Sequence, residues 1–491
     1  MIASPSRPQS YLDSNTENAN YFFHWTRDAS LCLRVILRQL DQIELGLNSW
    51  KFNSINQESQ NFQSSISINQ LQVIIHDFIN FNKKIQNSIN LSGGPLDGGL
   101  GEPKFLIDGS RFDEPWGRPQ HDGPAIRAST LIRFAKHLII NRSKISSQLD
   151  YISSNLFDRN LPSSPIQLDI DHIGRTWSQP SFDLWEEVKA TDGGHFYTLM
   201  VQRKAIQDFW DFTHLLPSHL QPSEAQYASY RSIISQIDDR LEMFWNPQGL
   251  PHYEAQHSDI PKNSSVPFSK KPHIVPTLDW ESGQLKPSQV DTAVILAINH
   301  TAGLNQPEKW SPGSDRTLAT LDRLVEVFEL LYPINKSKSG QGIAIGRYPE
   351  DEYDGINGNS VGHPWFLCTH AVAEVTYLAI NQFRKSPHIQ VTTFNLSFFS
   401  RFLPELQSSS KQLPWIIERG TEKYKKLLEG MSHWADRFLL DVSFKYSDRI
   451  NGNMSEQIDR ITGQMRGARE LTWSYASFLT AIDARAGKRP N

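Results

Sequence analysis

The sequence predicts an all-α fold, a closed ring of helices whose long loops gather at one end over a site. Apolar residues recur with helical spacing through most of the 491 residues, and few segments alternate with the period of two that a half-buried strand needs. Four loops dense in carboxylates and aromatic residues separate the helices: 101–124, 177–194, 346–364 and 451–470. Loops this long are uncommon inside a domain and are usually functional.

The predicted helices follow one another without a linker that would separate domains. In chain order they cover 29–40, 69–80, 125–140, 147–157, 195–216, 225–244, 290–300, 316–332, 364–383, 421–440 and 471–483. Two stretches resemble tolerated insertions: 45–68 is rich in Asn, Gln and Ser, and 254–273 is rich in Ser, Lys and Pro. We therefore predict one domain over 1–491, although the length alone would suit about three domains.

The composition excludes several classes of protein. With 49 basic and 53 acidic residues and a net charge of −4, the chain has no basic field for nucleic acid or an anionic membrane. Cys32 and Cys368 are too few for a disulfide scaffold and lie in apolar helical segments, so we expect buried free thiols. No signal peptide, membrane span, zinc-ligand spacing, phosphate loop or serine-hydrolase motif is visible. The 13 Trp, 14 Tyr and 26 Phe indicate a large core or aromatic faces for a flat, hydroxyl-edged ligand.

The first candidate site is the acidic cluster Asp183-Leu184-Trp185-Glu186-Glu187. Three carboxylates crowded beside aromatic rings raise the pKa of at least one carboxyl group, as a general acid requires. The alternative is an acidic helix N-terminus, where carboxylates are stabilised by the helix dipole.

Glu456, in a loop rich in Gly and Asn, is the candidate partner of Glu186. Alone it would be taken for a solvated loop carboxylate. Two carboxylates so far apart in the chain can face each other only across a ring of helices. A glycosidase needs such a pair, one to protonate the leaving oxygen and one to activate water.

Two further segments combine arginine with carboxylates and aromatic residues. Trp25-Thr26-Arg27-Asp28 offers a stacking face and an ionised Asp for sugar hydroxyls, or else it is an ordinary helix start. Arg347, Glu350 and Asp351 lie in GRYPED, which suits the gripping of hydroxyls or else forms a structural turn network.

Together these segments resemble the fungal and yeast glucoamylases, glycoside hydrolase family 15. The resemblance is carried, in the family's order, by IASPS (2–6), YFFHWTRDAS (21–30), GEPKF (101–105), WGRPQHDGPAIRA (116–128), FDLWEEV (182–188), GRYPEDEYDG (346–355), HPWFLCT (363–369), SEQIDR (455–460) and LTWSYASFLTA (471–481). It implies an (α/α)6 barrel that releases β-D-glucose, with inversion, from non-reducing ends of α-1,4 chains and more slowly at α-1,6 branches.

The resemblance also implies roles for individual residues. Glu186 matches the general acid and Glu456 the general base, and Tyr21 matches a tyrosine beside the reacting carbon. Asp183 and Glu187 match acidic neighbours of the acid among the substrate-binding residues, and Glu187 would reach the next sugar. We expect the like charges of both to hold the proton of the acid. The substrate-holding set is Arg27, Asp28, Arg347, Trp25, Trp116, Trp365 and Trp473, with Glu350 and Asp351 as supports.

The same resemblance sets the remaining expectations. The family's domain has a helix before IASPS, whereas Met1 adjoins it here. Either that helix is absent, in which case we expect stability to suffer, or the true start lies further upstream. No starch-binding module follows, which favours soluble dextrins, maltooligosaccharides or glycogen over raw granules. We expect a monomer that needs no cofactor or metal and binds neither nucleic acid nor membrane; the compartment stays open. The competing hypotheses are a degenerate carbohydrate-binding relative and another helical-barrel glycosidase such as a trehalase.

Overall fold

Helices dominate the computed structural model, which describes residues 1–5, 20–44, 66–140, 145–249, 271–336, 342–407 and 413–488. Most of the two predicted insertions lies outside these residues. The helices are α1 Thr26–Glu44, α2 Ile68–Gln86, α3 Asp122–Ile140, α4 Ile145–Asn155, α5 Pro165–Thr176, α6 Phe196–Thr213, α7 Glu224–Glu242, α8 Thr292–Thr301, α9 Asp315–Leu331, α10 Phe366–Phe383, α11 Leu396–Ser400, α12 Glu422–Asp436, α13 Ser443–Tyr446 and α14 Thr472–Arg485. A π-helical segment, Arg437–Val442, joins α12 to α13.

Six helices form a closed inner ring. In the order α1, α3, α6, α8, α10 and α14 each packs against the next, and α14 returns to α1. The chain alternates between this ring and an outer layer, in which α2 packs on α1, α5 on α3 and α6, α7 on α6, α9 on α8, and α12 on α10. Among the described residues, six inner and five outer helices alternate in two concentric layers, the architecture of the predicted (α/α)6 barrel.

The inner helices explain the strong hydrophobic signal of the sequence. In α8, nine of its ten residues are buried, and α10 is buried on nearly every side. An inner helix touches the barrel interior, two ring neighbours and the outer layer, so it is apolar all round rather than along one stripe. Cys32 on α1 and Cys368 on α10 lie inside these contacts as buried free thiols, as predicted.

Among the helices of the described residues, α5 is the one long helix that the apolar periodicity did not predict. Two of its inward positions carry Asp169 and His172, which are fully buried, so its apolar stripe is interrupted. Asp169 accepts hydrogen bonds of 2.9 and 2.6 Å from the guanidinium of Arg127, and His172 lies 3.1 Å from the ring of His121. Partners from other segments thus permit polar side chains at buried positions of this helix.

In the described part of the chain the strands are short and all antiparallel, and they form no sheet-based domain there, as expected. They are β1 His24–Trp25, β2 Lys104–Phe105, β3 Ser181–Phe182, β4 Val188–Ala190, β5 Trp245–Asn246, β6 His273–Ile274, β7 Trp280–Gly283, β8 His388–Val391, β9 Trp415–Glu418, β10 Gln457–Ile458 and β11 Met465–Arg466. The pairings are β1 with β2, β3 with β4 and β4 with β7, β5 with β6, β8 with β9, and β10 with β11. Within the described ranges, none of the helices has the length and hydropathy of a membrane span.

Candidate active site

A cavity of about 540 Å³ lies where the inner helices begin. Its wall includes Arg27 and Asp28 in the first turn of α1, Trp365 immediately before α10 and Trp473 in the first turn of α14. The loops that precede the inner helices therefore meet at one end of the barrel, as predicted. Eleven of the fourteen predicted site residues line this cavity: Tyr21, Trp25, Arg27, Asp28, Trp116, Glu186, Glu187, Arg347, Trp365, Glu456 and Trp473.

The acidic cluster forms the tight turn between β3 and β4, so the alternative of a helix N-terminus is wrong. The Asp183 N–H donates to the Val188 carbonyl at 2.8 Å, and the Glu186 N–H donates to the Asp183 carbonyl at 2.9 Å. The carboxylate of Asp183 also accepts the N–H groups of Glu187 at 3.0 Å and Val188 at 3.1 Å. These bonds hold Glu186 at a φ of 71°, in the left-handed region that non-glycine residues seldom adopt.

Gly117 supports this turn from the opposite side. A Cβ atom at this position would lie 2.2 Å from the carbonyl oxygen of Glu186, a backbone atom that cannot rotate away. We therefore expect Gly117→Ala to destabilise the fold by about 1–3 kcal/mol, through displacement of the Glu186 turn. Urea unfolding measures this, with Gly358→Ala as the matched control, because a Cβ at Gly358 meets nothing within 4 Å. Equal stability of the two variants would contradict the expectation.

The carboxyl group of Glu186 is 12% exposed and bound on both oxygens. One oxygen lies 3.3 Å from Nη2 of Arg27, and the other accepts the indole N–H of Trp116. Burial raises the pKa of Glu186; the cations of Arg27 and Lys104 lower it, and the carboxylate of Asp28 raises it. The predicted rise is therefore present.

The predicted cause of that rise is wrong, because both acidic neighbours of Glu186 are paired with cations. Asp183 lies 2.9 Å from the ammonium of Lys286, which lowers its pKa against the opposing effect of burial. Glu187 lies 2.8 Å from the guanidinium of Arg347, and burial raises its own pKa. Burial, rather than repulsion by these two neighbours, is the largest cause that raises the pKa of Glu186.

Glu456 is completely buried, immediately before β10. Its Oε1 accepts the hydroxyl of Tyr21 at 2.6 Å, and its Oε2 lies 3.4 Å from both the hydroxyl of Tyr353 and the N–H of Ala468. Burial raises the pKa of Glu456 to about 7, while these hydrogen bonds act to lower it. Gly467 leaves room for this carboxylate: its φ is +73°, and a Cβ there would lie 2.4 Å from Oε2.

Two arginines, Arg27 and Arg347, form part of the wall. Arg27 donates to Gln120 at 3.0 Å and lies 3.2 Å from Asp122 and 3.3 Å from Asp28. Arg347 is bound by both oxygens of Asp351 at 2.9 and 2.6 Å. Each guanidinium is buried. Because several charge-assisted bonds hold it, its orientation is fixed before any ligand enters.

The predicted aromatic wall is present. Trp25, Trp365 and Trp473 are each nearly buried with one face on the cavity, whereas Trp116 is 38% exposed at its mouth. The ring of Tyr21 lies 5.2 Å from that of Trp25, so the tyrosine that contacts Glu456 is itself packed against the wall.

The other three predicted site residues, Asp183, Glu350 and Asp351, do not line the cavity. Asp183 shapes the Glu186 turn, and Asp351 holds Arg347. Glu350 accepts the backbone N–H and the hydroxyl of Ser288 at 2.6 and 2.9 Å. These carboxylates are already occupied by protein donors, so they orient other residues and make no direct contact with the cavity.

Several residues at the site were not predicted. Lys104, Gln120, Asp122 and Tyr353 lie within the quoted segments GEPKF, WGRPQHDGP and GRYPEDEYDG, so their proximity to the predicted residues was the available signal. Lys286 lies in no such segment, and its role is visible only from the contacts of Asp183. Within the described residues, no group of three or more His, Cys, Asp or Glu side chains is arranged to hold a metal ion.

Comparison with known proteins agrees with this architecture. The family model for glycosyl hydrolases family 15 matches residues 1–483. Glucoamylase 1 of Rhizopus oryzae is 32% identical over 475 residues, which cover 96% of this chain and 66% of that protein. A probable glucoamylase of Schizosaccharomyces pombe is 31% identical over 486 residues, covering 99% of this chain and 84% of its own length. The solved structure of Hormoconis resinae glucoamylase superposes with a TM-score of 0.75 at 28% identity, over 100% of this chain and 69% of that one.

Proposed function

The chain belongs to glycoside hydrolase family 15, as an enzyme of the glucoamylase type, and we propose that its cavity removes single glucose units from non-reducing ends of α-glucans with inversion, releasing β-D-glucose. One observation carries the proposal: Glu186 and Glu456 face the same cavity in two different environments. Inverting hydrolysis uses one carboxylic acid to protonate the leaving oxygen and one carboxylate to activate water on the opposite face of the sugar.

Glu186 suits the acid. Burial favours its protonated form, and the N–H of Trp116 and the guanidinium of Arg27 stabilise the carboxylate that forms as the proton leaves. The strained turn directs this side chain into the cavity, so its position does not depend on side-chain rotation alone.

Glu456 suits the base. The hydroxyls of Tyr21 and Tyr353 and the N–H of Ala468 fix both of its oxygens and act against the burial that raises its pKa to about 7. An anchored carboxylate can orient one water and accept its proton as that water attacks the anomeric carbon. Tyr21 also lies on the cavity wall, where its oxygen can stabilise positive charge that develops on the sugar ring.

We propose exo action, in which the terminal glucose binds within the cavity. Arg27, Asp28 and Arg347 line it and offer donors and an acceptor for hydroxyl groups, while the four predicted tryptophans supply stacking faces. We propose α-1,4 chains such as maltooligosaccharides, starch dextrins or glycogen as substrates, with slower attack at α-1,6 branches. Retention of both Glu186 and Glu456 disfavours a degenerate binding protein.

Glucose release from maltose, glycogen and trehalose tests this function. We expect release from maltose and glycogen, with the β-anomer appearing first by proton NMR. Activity on trehalose alone, or first appearance of the α-anomer, would overturn the proposal.

Tyr21→Phe should move the acidic limb of the kcat/KM profile to higher pH by about one unit. The Tyr21 hydroxyl donates to Glu456 at 2.6 Å and stabilises its carboxylate, so its loss raises the pKa of Glu456 further. Because the base acts in its ionised form, activity begins to fall at a higher pH than in the wild type as the pH is lowered. Tyr353→Phe is the matched control and should shift the limb less, since that hydroxyl lies 3.4 Å away. An unmoved acidic limb in Tyr21→Phe would contradict the assignment of Glu456 as base.

A further inference from the structure

The side chain of Lys104 ends in a cage of aromatic rings at the cavity. Its Nζ lies 3.7 Å from the ring centroid of Trp116, 4.1 Å from that of Phe112, 4.2 Å from that of Phe23 and 4.5 Å from that of Trp25. The residue is 3% exposed, and the described part of the chain gives its ammonium neither a hydrogen bond nor an ion pair. Cation–π attraction to the faces of these rings stabilises the buried charge in place of a counterion.

The cage connects Lys104 to the candidate acid through one indole. Trp116 presents its face to the ammonium and donates its N–H to Oε2 of Glu186. A cation over the ring withdraws electron density from the indole and makes this N–H a stronger donor. The β1–β2 pairing also places the backbone of Lys104 opposite Trp25. The residue is therefore held both at its backbone and at its ammonium.

We infer that Lys104 is a positioning residue for the acid: its caged ammonium fixes Trp116 and stabilises the Glu186 carboxylate that forms as the proton passes to the leaving oxygen. The inference rests on the proposed role of Glu186. Burial alone would make this carboxyl group retain its proton too strongly. A nearby cation offsets this effect of burial on Glu186. Because Lys104 has no carboxylate partner of its own among the described residues, no second carboxylate competes for the proton.

The other cations near Glu186, Arg27 and Arg118, are paired with further carboxylates. From α1, Arg27 approaches at 3.3 Å but is shared with Asp28 and, from α3, with Asp122. From the loop before α3, Arg118 is paired with Glu102 at 3.1 Å and disfavours the charge of Lys104. Burial lowers the pKa of Lys104 to about 8, and the carboxylate of Glu186 acts against that shift.

Lys104→Met tests the inference, because methionine keeps an unbranched side chain among the rings and removes only the charge. We expect the basic limb of kcat/KM on maltose to move to higher pH by about one unit, since loss of a nearby cation raises the pKa of the acid. We also expect kcat on maltose to fall while hydrolysis of α-D-glucosyl fluoride is largely retained, because departure of fluoride needs little proton donation. Lys104→Arg, which keeps the charge, should restore the wild-type limb.

Control variants separate the outcomes. Lys189→Met removes a half-buried lysine of β4 that pairs with Glu281. Both limbs of the kcat/KM pH profile of this variant should stay at their wild-type positions. An unmoved basic limb in Lys104→Met, with or without a higher KM, overturns the inference, as does an equal shift in Lys104→Arg. Lys104→Gln replaces the methionine variant if that protein does not fold. If Glu186→Gln keeps full activity on maltose, the proposed function has failed instead.

Discussion

Glu186→Gln is expected to lower kcat on maltose by about 10²–10⁴-fold while largely sparing the hydrolysis of α-D-glucosyl fluoride. Glutamine keeps the size of the side chain and the contact with Trp116 but has no proton to donate to a leaving oxygen of high basicity. Fluoride departs without such help, so the second substrate reports whether water activation and sugar binding remain intact.

Glu456→Gln is the matched comparison and should lose both activities. Water must be activated whichever group departs, and an amide cannot accept its proton. Steady-state kinetics of the two variants on both substrates, with circular dichroism as a check of folding, measure the difference. Undiminished maltose hydrolysis in both variants, or equal loss of fluoride hydrolysis in both, would contradict the division of roles between an acid and a base.

The fold was largely predictable from the sequence because the barrel is built from local periodicity. An inner helix such as α10 is apolar over nearly its whole length, and no distant residue is needed to recognise it. Helix α5 was not predicted because Asp169 is tolerated inside only through Arg127, which lies 42 residues away in the chain. Where a buried polar side chain depends on a distant partner, single-sequence periodicity underestimates the helix.

Most residues of the site could be predicted from the sequence, but the charges that surround the acidic cluster could not. Short motifs contain Glu186, Glu456, Arg27 and Arg347, and the structure brings them to one cavity. The cations that determine the charge of the acidic cluster come from distant positions, as with Lys286, which lies 103 residues from Asp183. Three adjacent carboxylates therefore suggested mutual repulsion, whereas two of them are neutralised by cations from other loops.

Lys286 is the residue whose removal should destabilise the site most. Its ammonium lies 2.9 Å from Asp183 and 2.7 Å from Asp291, and all three side chains are at most 6% exposed. Asp291 also accepts the indole N–H of Trp185 at 2.9 Å and caps α8 through the N–H of Ala293 at 2.7 Å. One buried cation thus joins the Glu186 turn to the start of an inner helix.

Lys286→Met is expected to lower the free energy of unfolding at pH 7 by about 3–5 kcal/mol, because it leaves two carboxylates buried without a counterion. Those carboxyl groups would then have folded pKa values above their unfolded values. Their destabilisation is absent when they are protonated in both states and grows as pH rises, so the loss should shrink towards pH 4. Urea unfolding at both pH values measures it.

Two variants determine whether that loss comes from the buried charges. Lys189→Met breaks a pair with Glu281 whose side chains are 30% and 38% exposed, and should cost less than about 1 kcal/mol. Asp183→Asn combined with Lys286→Met removes one orphaned charge, while the amide oxygen still accepts the N–H groups of Glu187 and Val188. We expect the double variant to be more stable than Lys286→Met alone. If it is less stable, the lysine acts through packing, and the unpaired carboxylates are not the source of the loss.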